Sequence, residues 1–287
     1  MRSIYKRELD SYFNGFTGYL FVAVSLAVIG IYAMSNNIVG GYANFEFALD
    51  SSKFVFTILI PILTMRTLAE ERRSRTDQLL YSAPIGTGAI VGGKFLAAAT
   101  VFALPCLLSG VYPLIFSNYG EVSLATAYGG ILAFYLMGCV MIALGIFLSA
   151  LTESLIVAAV TSFGSLLVWL LMDGLVSFIP ATAAASLGCW CLVALLAGLA
   201  VQGLTRSKPL GLAIALGGSG IAGGLYFLKP AALEGSFNAA LADLSIFSRF
   251  SAITDGAFDL TTLVFYISLT ALFLLFAGIA VEKRRWS

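Results

Sequence analysis

The chain contains no histidine in 287 residues. That removes the commonest general base and the commonest metal ligand together, and with them hydrolysis of the Ser-His kind. Cysteine does not fill the gap. Cys106, Cys139, Cys189 and Cys191 all lie in apolar runs, and Cys189-Trp190-Cys191 is not a C-x-x-C pair. They read as buried thiols with no disulfide and no metal. Charge is also scarce, at 11% of residues where a soluble domain carries about 25%. With 60% hydrophobic residues and a mean hydropathy of +0.96, this composition excludes a soluble globular domain. The net charge of +1 says little as a total, because in a membrane chain placement matters. Nucleic acid is not an expected partner.

What the chain has is long apolar runs. Runs of about 20 residues cross a ~30 Å hydrocarbon core, and eight are expected: Gly18–Met34, Phe47–Met65, Phe95–Phe116, Ala125–Leu151, Leu155–Phe178, Leu187–Leu204, Leu210–Leu228 and Leu263–Val281. Six is the alternative, with the Gly-rich pair from Leu187 to Leu228 partly re-entrant. Pro61, Pro105 and Pro113 fall inside spans and read as kinks. The fold class is therefore all-α and polytopic, read as a single membrane domain over residues 1–287.

Lysine and arginine set the orientation. With a cytoplasmic amino terminus, Arg2, Lys6, Arg7, Arg66, Arg72, Arg73, Arg75, Lys94, Arg206, Lys208, Lys283, Arg284 and Arg285 lie inside, and only Lys53, Lys229 and Arg249 lie outside. The positive-inside rule then predicts both termini in the cytoplasm. The first apolar run is long enough to span and no A-x-A site closes it, so an uncleaved start is expected. Residues 1–15 read as an interfacial elbow helix, with Ile4, Tyr5, Leu9, Tyr12 and Phe13 on one side and Lys6, Arg7, Glu8 and Asp10 between them.

Three motif-like strings lead elsewhere on inspection. Gly88-Ala-Ile-Val-Gly-Gly93-Lys94 matches a phosphate-binding loop until Phe95, which stands where Ser or Thr must ligate magnesium. It reads as a flexible start to the next span with Lys94 snorkelling. Gly217-Gly218-Ser219-Gly220 matches the serine motif of rhomboid-type intramembrane proteases, but no base is available to activate the hydroxyl. Gly217, Gly220 and Gly224 read instead as a G-x-x-x-G packing face. Asp173 is the acid well inside an apolar run, which makes it a candidate for proton or substrate binding.

The segment 66–94 is the most specific signal. Arg66, Glu70, Glu71, Arg72, Arg73, Arg75 and Asp77 sit between two apolar runs, and a charge at a bilayer centre costs about 2.5 to 3.5 kcal/mol, so this cluster belongs outside lipid. Leu68, Thr76, Leu79, Leu80 and Ala83 gather on one side of a helix predicted from Leu68 to Ala83. Such a helix is about 24 Å long at ~1.5 Å per residue. Glu71 with Arg75 and Arg73 with Asp77 are at ion-pair spacing, and Pro84 ends the helix.

The string from Glu70 to Ile85, with Gly93-Lys94 after it, resembles the first cytoplasmic loop of ABC-2 type transporter permeases. It is most similar to the gliding-motility-type branch. Lys6 to Phe13 resembles that branch's amphipathic first helix, and Asp243, Ser245, Phe247, Arg249, Phe250, Gly256, Asp259, Tyr266 and Ser268 resemble its closing signature. Arg75 stands where the wider superfamily often has glycine, and Gln78 where it often has glutamate.

The resemblance implies a permease, not itself an enzyme, that works as a dimer with two copies of a separate ATPase. Glu70, Glu71, Arg72, Arg73, Thr76, Asp77, Leu79, Leu80 and Pro84 would belong to the coupling helix seated on that ATPase, and Thr152-Glu153-Ser154 would be a second contact. ATP and magnesium would sit on the partner and no cofactor on this chain. The expected location is a bacterial inner membrane, and the expected activity is export. An ATP-independent channel or scramblase, and mechanical work on an auxiliary outer protein, are the alternatives. An apolar or amphipathic cargo suits the Ala, Leu, Gly and Phe lining. Residues 229–262 read as an outer amphipathic segment, on Leu241, Leu244, Phe247, Phe250 and Ile253.

Overall fold

The computed structural model describes residues 1–75, 86–120, 122–205, 208–254 and 260–285. Among these there is no strand. In order the helices are α1 Arg2–Asn14, α2 Phe16–Ala33, which widens into a π-helix over Met34–Val39, α3 Glu46–Thr64, α4 Ala69–Arg73, α5 Thr87–Ser109, α6 Val111–Phe116 and α7 Leu124–Leu151. They continue as α8 Leu155–Phe178, α9 Ala183–Thr205, α10 Lys208–Leu228, α11 Pro230–Leu233, α12 Ser236–Leu244, α13 Ile246–Thr254 and α14 Leu260–Arg285.

Among the described residues, six helical stretches are long and apolar enough to cross a membrane: Phe16–Val39, Glu46–Arg73, Thr87–Phe116, Leu124–Leu151, Leu155–Met172 and Leu260–Arg284. The protein is a multi-pass membrane protein. The Gly-rich pair, expected as spans six and seven, forms helices of 23 and 21 residues. Within them the described apolar stretches, Ala183–Leu199 and Ala215–Leu228, are shorter.

The chain forms two compact units, Met1–Leu170 with Arg249–Ser287, and Leu171–Ser248. In the first, α7 is the central helix, packed by α3, α5 and α14. Lipid is as apolar as leucine, so close packing, not water exclusion, holds such helices together. Gly130, Gly138 and Gly145 recur every two turns of α7 and permit that approach. A Cβ at Gly138 would overlap the Phe102 ring, and one at Gly145 the Thr64 side chain. Around them Phe56, Phe102, Phe134 and Phe250 meet mostly edge to face, with ring centroids 5.1 Å apart for Phe56–Phe134 and 5.7 Å for Phe134–Phe250.

In the second unit, α9 and α10 form a hairpin. The contact face differs from the one expected. A Cβ at Gly218 would press on Ala194, whereas one at Gly217, Gly220 or Gly224 meets nothing within 4 Å. The G-x-x-x-G stripe lies on the side of α10 turned away from α9, because Gly218, Ala222 and Leu225 occupy the inward positions. The 229–262 segment, expected as one amphipathic helix, is broken into α11, α12 and α13. Gly235 lies at φ +67, a left-handed position that ends one helix and starts the next. Ser245 breaks the chain again, its Oγ accepting from Ser248 N at 3.2 Å as the cap of α13.

Candidate functional site

The chain leaves α3 through a tight turn. Met65 N donates to Pro61 O at 2.9 Å, and both Thr67 N and Thr67 Oγ1 donate to Thr64 O, at 3.1 and 2.7 Å. The helix that follows opens with backbone N–H groups that need acceptors. Ser149 of α7 supplies one: its Oγ accepts from Leu68 N at 3.2 Å and Ala69 N at 3.0 Å, and donates to Met65 O at 3.2 Å. One side chain therefore pins the start of α4 to the central helix.

Charges then tie α4 to two other helices. Lys94 of α5 is only 1% exposed. Its Nζ lies 2.9 Å from Glu8 Oε1, 2.9 Å from Glu71 Oε1 and 2.6 Å from Thr67 O, which uses all three ammonium donors. Arg7 Nη2 reaches the same two carboxylate oxygens, at 3.0 and 2.9 Å. Burying an ammonium costs several kcal/mol, and only this full set of partners offsets it. Nearby, Arg66 grips Glu70 with two parallel bonds of 2.8 and 2.9 Å.

This geometry corrects the reading of Lys94 as a snorkelling residue at a flexible start. Residues 88–94 are continuous helix, and α1 packs against them, since a Cβ at Gly93 would meet Ile4. The first helix is held further by Tyr5 OH, 3.2 Å from Thr100 Oγ1 of α5, and by Tyr12 OH, which donates to Leu63 O of α3 at 3.2 Å. Burial pushes the Tyr12 phenol up, and nearby Glu8 adds to it. The ammonium of Lys94 is consumed within the protein, so the phosphate-loop resemblance has no cradle behind it.

The loop helix is also shorter than predicted over its described part. It runs from Ala69 to Arg73, and Arg75 sits at φ +56. Ser74 Oγ donates back to Glu70 O at 2.9 Å and Glu71 O at 3.2 Å, competing with the helix ladder. Glu71, expected to pair with Arg75, is turned instead toward Lys94 and Arg7. Arg72 is buried and Arg73 exposed. Thr76, Asp77, Leu79, Leu80 and Pro84 lie outside the described residues, as does the side chain of Asp173, a position within α8.

Thr152-Glu153-Ser154 forms the turn from α7 to α8. Thr152 Oγ1 accepts from Ser154 N at 3.1 Å, and Ser154 Oγ accepts from Val157 N at 3.4 Å. Arg284, near the end of α14, donates to Glu153 Oε1 and to Leu151 O, both at 3.1 Å. Since Ser149 lies one turn before this site, the α4 loop, the α7–α8 turn, the start of α5 and the end of α14 share one end of the first unit. Sequence reasoning named the loop and the turn but missed Glu8, Arg7, Ser149 and Arg284 as their partners. Glu8 carried a usable signal. It lies one turn from both Ile4 and Tyr12 on the packed side of α1, and an acid there demands a base.

The opposite end of α3 holds ionisable residues that the sequence reading passed over in favour of Asp173. Glu46 is 2% exposed, and its Oε2 has no hydrogen-bond partner among the described residues. Asp50, Lys53 and Ser251 close a triangle: Lys53 Nζ is 2.6 Å from Asp50 Oδ1 and 2.7 Å from Ser251 Oγ, and Ser251 Oγ donates to Asp50 Oδ1 at 3.0 Å. This arrangement tethers α13 to α3. The Lys53 ammonium is already engaged, so the triangle is not a serine nucleophile with a free base.

No curated protein matches the chain. The sequence profile described as ABC-2 family transporter protein matches residues 11–188, more than half of the 287 and a stretch that includes α4, Lys94, Ser149 and the α7–α8 turn. The charged loop held between two spans, the helical multi-pass architecture and this match converge on one conclusion: the chain belongs to the ABC-2 transporter family and is a permease component of an ABC transporter.

Proposed function

We propose that the end of the first unit carrying Glu8, Glu70, Glu71 and Lys94 is cytoplasmic and is the face on which a separate ATPase subunit acts. Glu70 to Pro84 is its primary contact and Thr152-Glu153-Ser154 the second. The observation that carries this reading is the burial of Lys94 between Glu8 and Glu71 at 2.9 Å each. A solvated hairpin needs no such anchor. A loop that is pushed or pulled does, because force applied to α4 has to reach α1 and α5 without being lost in loop motion. Two ATPase copies serve two copies of this chain in a bacterial inner membrane, with both termini inside, and the cycle drives export. Within the family we assign the chain to the gliding-motility-type branch.

Purification of the tagged chain from its native membranes tests the assignment. An ABC ATPase should co-purify in equal amount, and its ATP hydrolysis should rise when the permease is reconstituted in lipid. Recovery of the chain without any ATPase, from membranes in which it is folded, overturns it.

A further inference from the structure

The hairpin unit carries a partly open apolar cavity of about 350 Å³ that the coupling end does not explain. Trp190 and Val193 of α9, Ile221, Ala222 and Leu225 of α10, and Leu233 of α11 line it. We propose that this cavity is a binding site for a single acyl chain of a bilayer lipid.

Two physical arguments select that occupant. Water is a poor occupant, because an ordered water needs two to four polar partners. The polar side chains on the wall, Trp190 and Ser236, are committed to each other: Trp190 Nε1 donates to Ser236 Oγ at 3.2 Å, and Ser236 Oγ in turn donates to Leu233 O at 3.0 Å. An apolar hollow of this size, left unfilled, also forfeits packing along its lining. A multi-pass chain lies among acyl chains that can remove that cost without desolvating anything. At roughly 30 Å³ per small group, the share of one water in the liquid, the cavity takes about a dozen groups, which suits a saturated tail of about twelve carbons.

The indole of Trp190 forms part of the wall and reports on the occupant. In the full chain, Trp169→Phe and Trp286→Phe leave Trp190 as the sole tryptophan. Reconstituted in phosphatidylcholine brominated on its acyl chains, this protein should lose at least half of the fluorescence that it shows in the unbrominated lipid. Ala222→Phe, which fills the cavity beside the indole, should recover at least twofold. A measurement with the cavity unaltered backs this up: in plain lipid, 12-bromododecanoate should quench Trp190 saturably, and dodecanoate should compete. Equal quenching with and without Ala222→Phe, or linear quenching by the bromo acid that dodecanoate does not reverse, overturns the site. So does efficient disulfide formation between two copies carrying Val193→Cys, which would place a second copy of the chain there instead.

Discussion

Glu8 and Glu71 share one cation, each setting Oε1 2.9 Å from the buried Nζ of Lys94. Arg7 bridges the same two oxygens from the exposed side. The acids come from the first helix and from the loop between two spans, so the pair converts three separate pieces of chain into one joint. Its strength depends on being complete. An ammonium with two carboxylates and a carbonyl is satisfied; with either acid removed, it is a buried charge short of a partner.

Lys94→Met keeps the volume and removes the charge, leaving Glu8 and Glu71 facing each other beside Arg7 alone. Breaking a buried pair typically costs about 3 to 5 kcal/mol. The lower part of that range is expected here, because Arg7 remains. Glu8→Gln and Glu71→Gln should each cost about 1 to 3 kcal/mol, and the double variant less than their sum, since both act on one ammonium. Denaturation midpoints in a single detergent give the cycle, and strict additivity would mean that the two acids do not share Lys94.

Arg75 offers a test of opposite sign. A non-glycine residue in the left-handed region is strained by roughly 1 to 2 kcal/mol, and Arg75 has φ +56. Arg75→Gly relieves that strain at a smaller entropic cost, so the loop should gain up to about 1 kcal/mol. Arg75→Val should lose stability, because branching at Cβ tolerates this conformation least. Hydrogen exchange of the amides from Leu68 to Ser74 reads both changes. Faster exchange in the glycine variant would show that the turn is held by Arg75 contacts and not strained by its backbone.

Much of this architecture was legible as sequence. Apolar runs locate spans because a bilayer imposes length and polarity directly. The charged loop announces itself because lipid excludes it. The joint was not legible, because it is tertiary: Gly93-Lys94 at the head of an apolar run looks the same whether the lysine snorkels or is buried, and only the distant Glu8 and Glu71 decide. The early end of α4 was equally hidden, since residues 68–83 have helical periodicity and the break at Ser74 and Arg75 is a local backbone choice. Glu46 and Asp50 were overlooked for a related reason. They stand at the edge of an apolar run, where hydration is the ordinary expectation, and packing against Gly130 of α7 buries Glu46 instead.

The two ends of the first unit give the orientation a direct test. Ser74 and Ser117 are both exposed and lie at opposite ends of the helices that join them. After the four native cysteines are replaced, a membrane-impermeant maleimide applied to spheroplasts should label Ser117→Cys at once. Ser74→Cys should label only when the membrane is opened. The reverse pattern would invert the topology and place the proposed ATPase face outside.

The coupling assignment predicts a separation between folding and work. Glu71→Lys places a third cation beside Arg7 and Lys94, so like charges repel where the joint should close. The apolar spans are untouched, and insertion into the membrane should be normal. Leu80→Asp leaves the joint intact and puts a charge on the proposed docking side, where a truncated or mismatched anchor typically costs about 2 to 4 kcal/mol of assembly. The two variants should therefore fail differently. Leu80→Asp should lose the ATPase in a pull-down, by tenfold or more. Glu71→Lys should retain a substantial part of it, yet fail to convert ATP hydrolysis into transport, since the loop would move without carrying α1 and α5. Normal transport in both would reduce the loop to a solvated hairpin. Equal loss of the ATPase in both would instead make Glu71 part of the docking surface, not of the joint behind it.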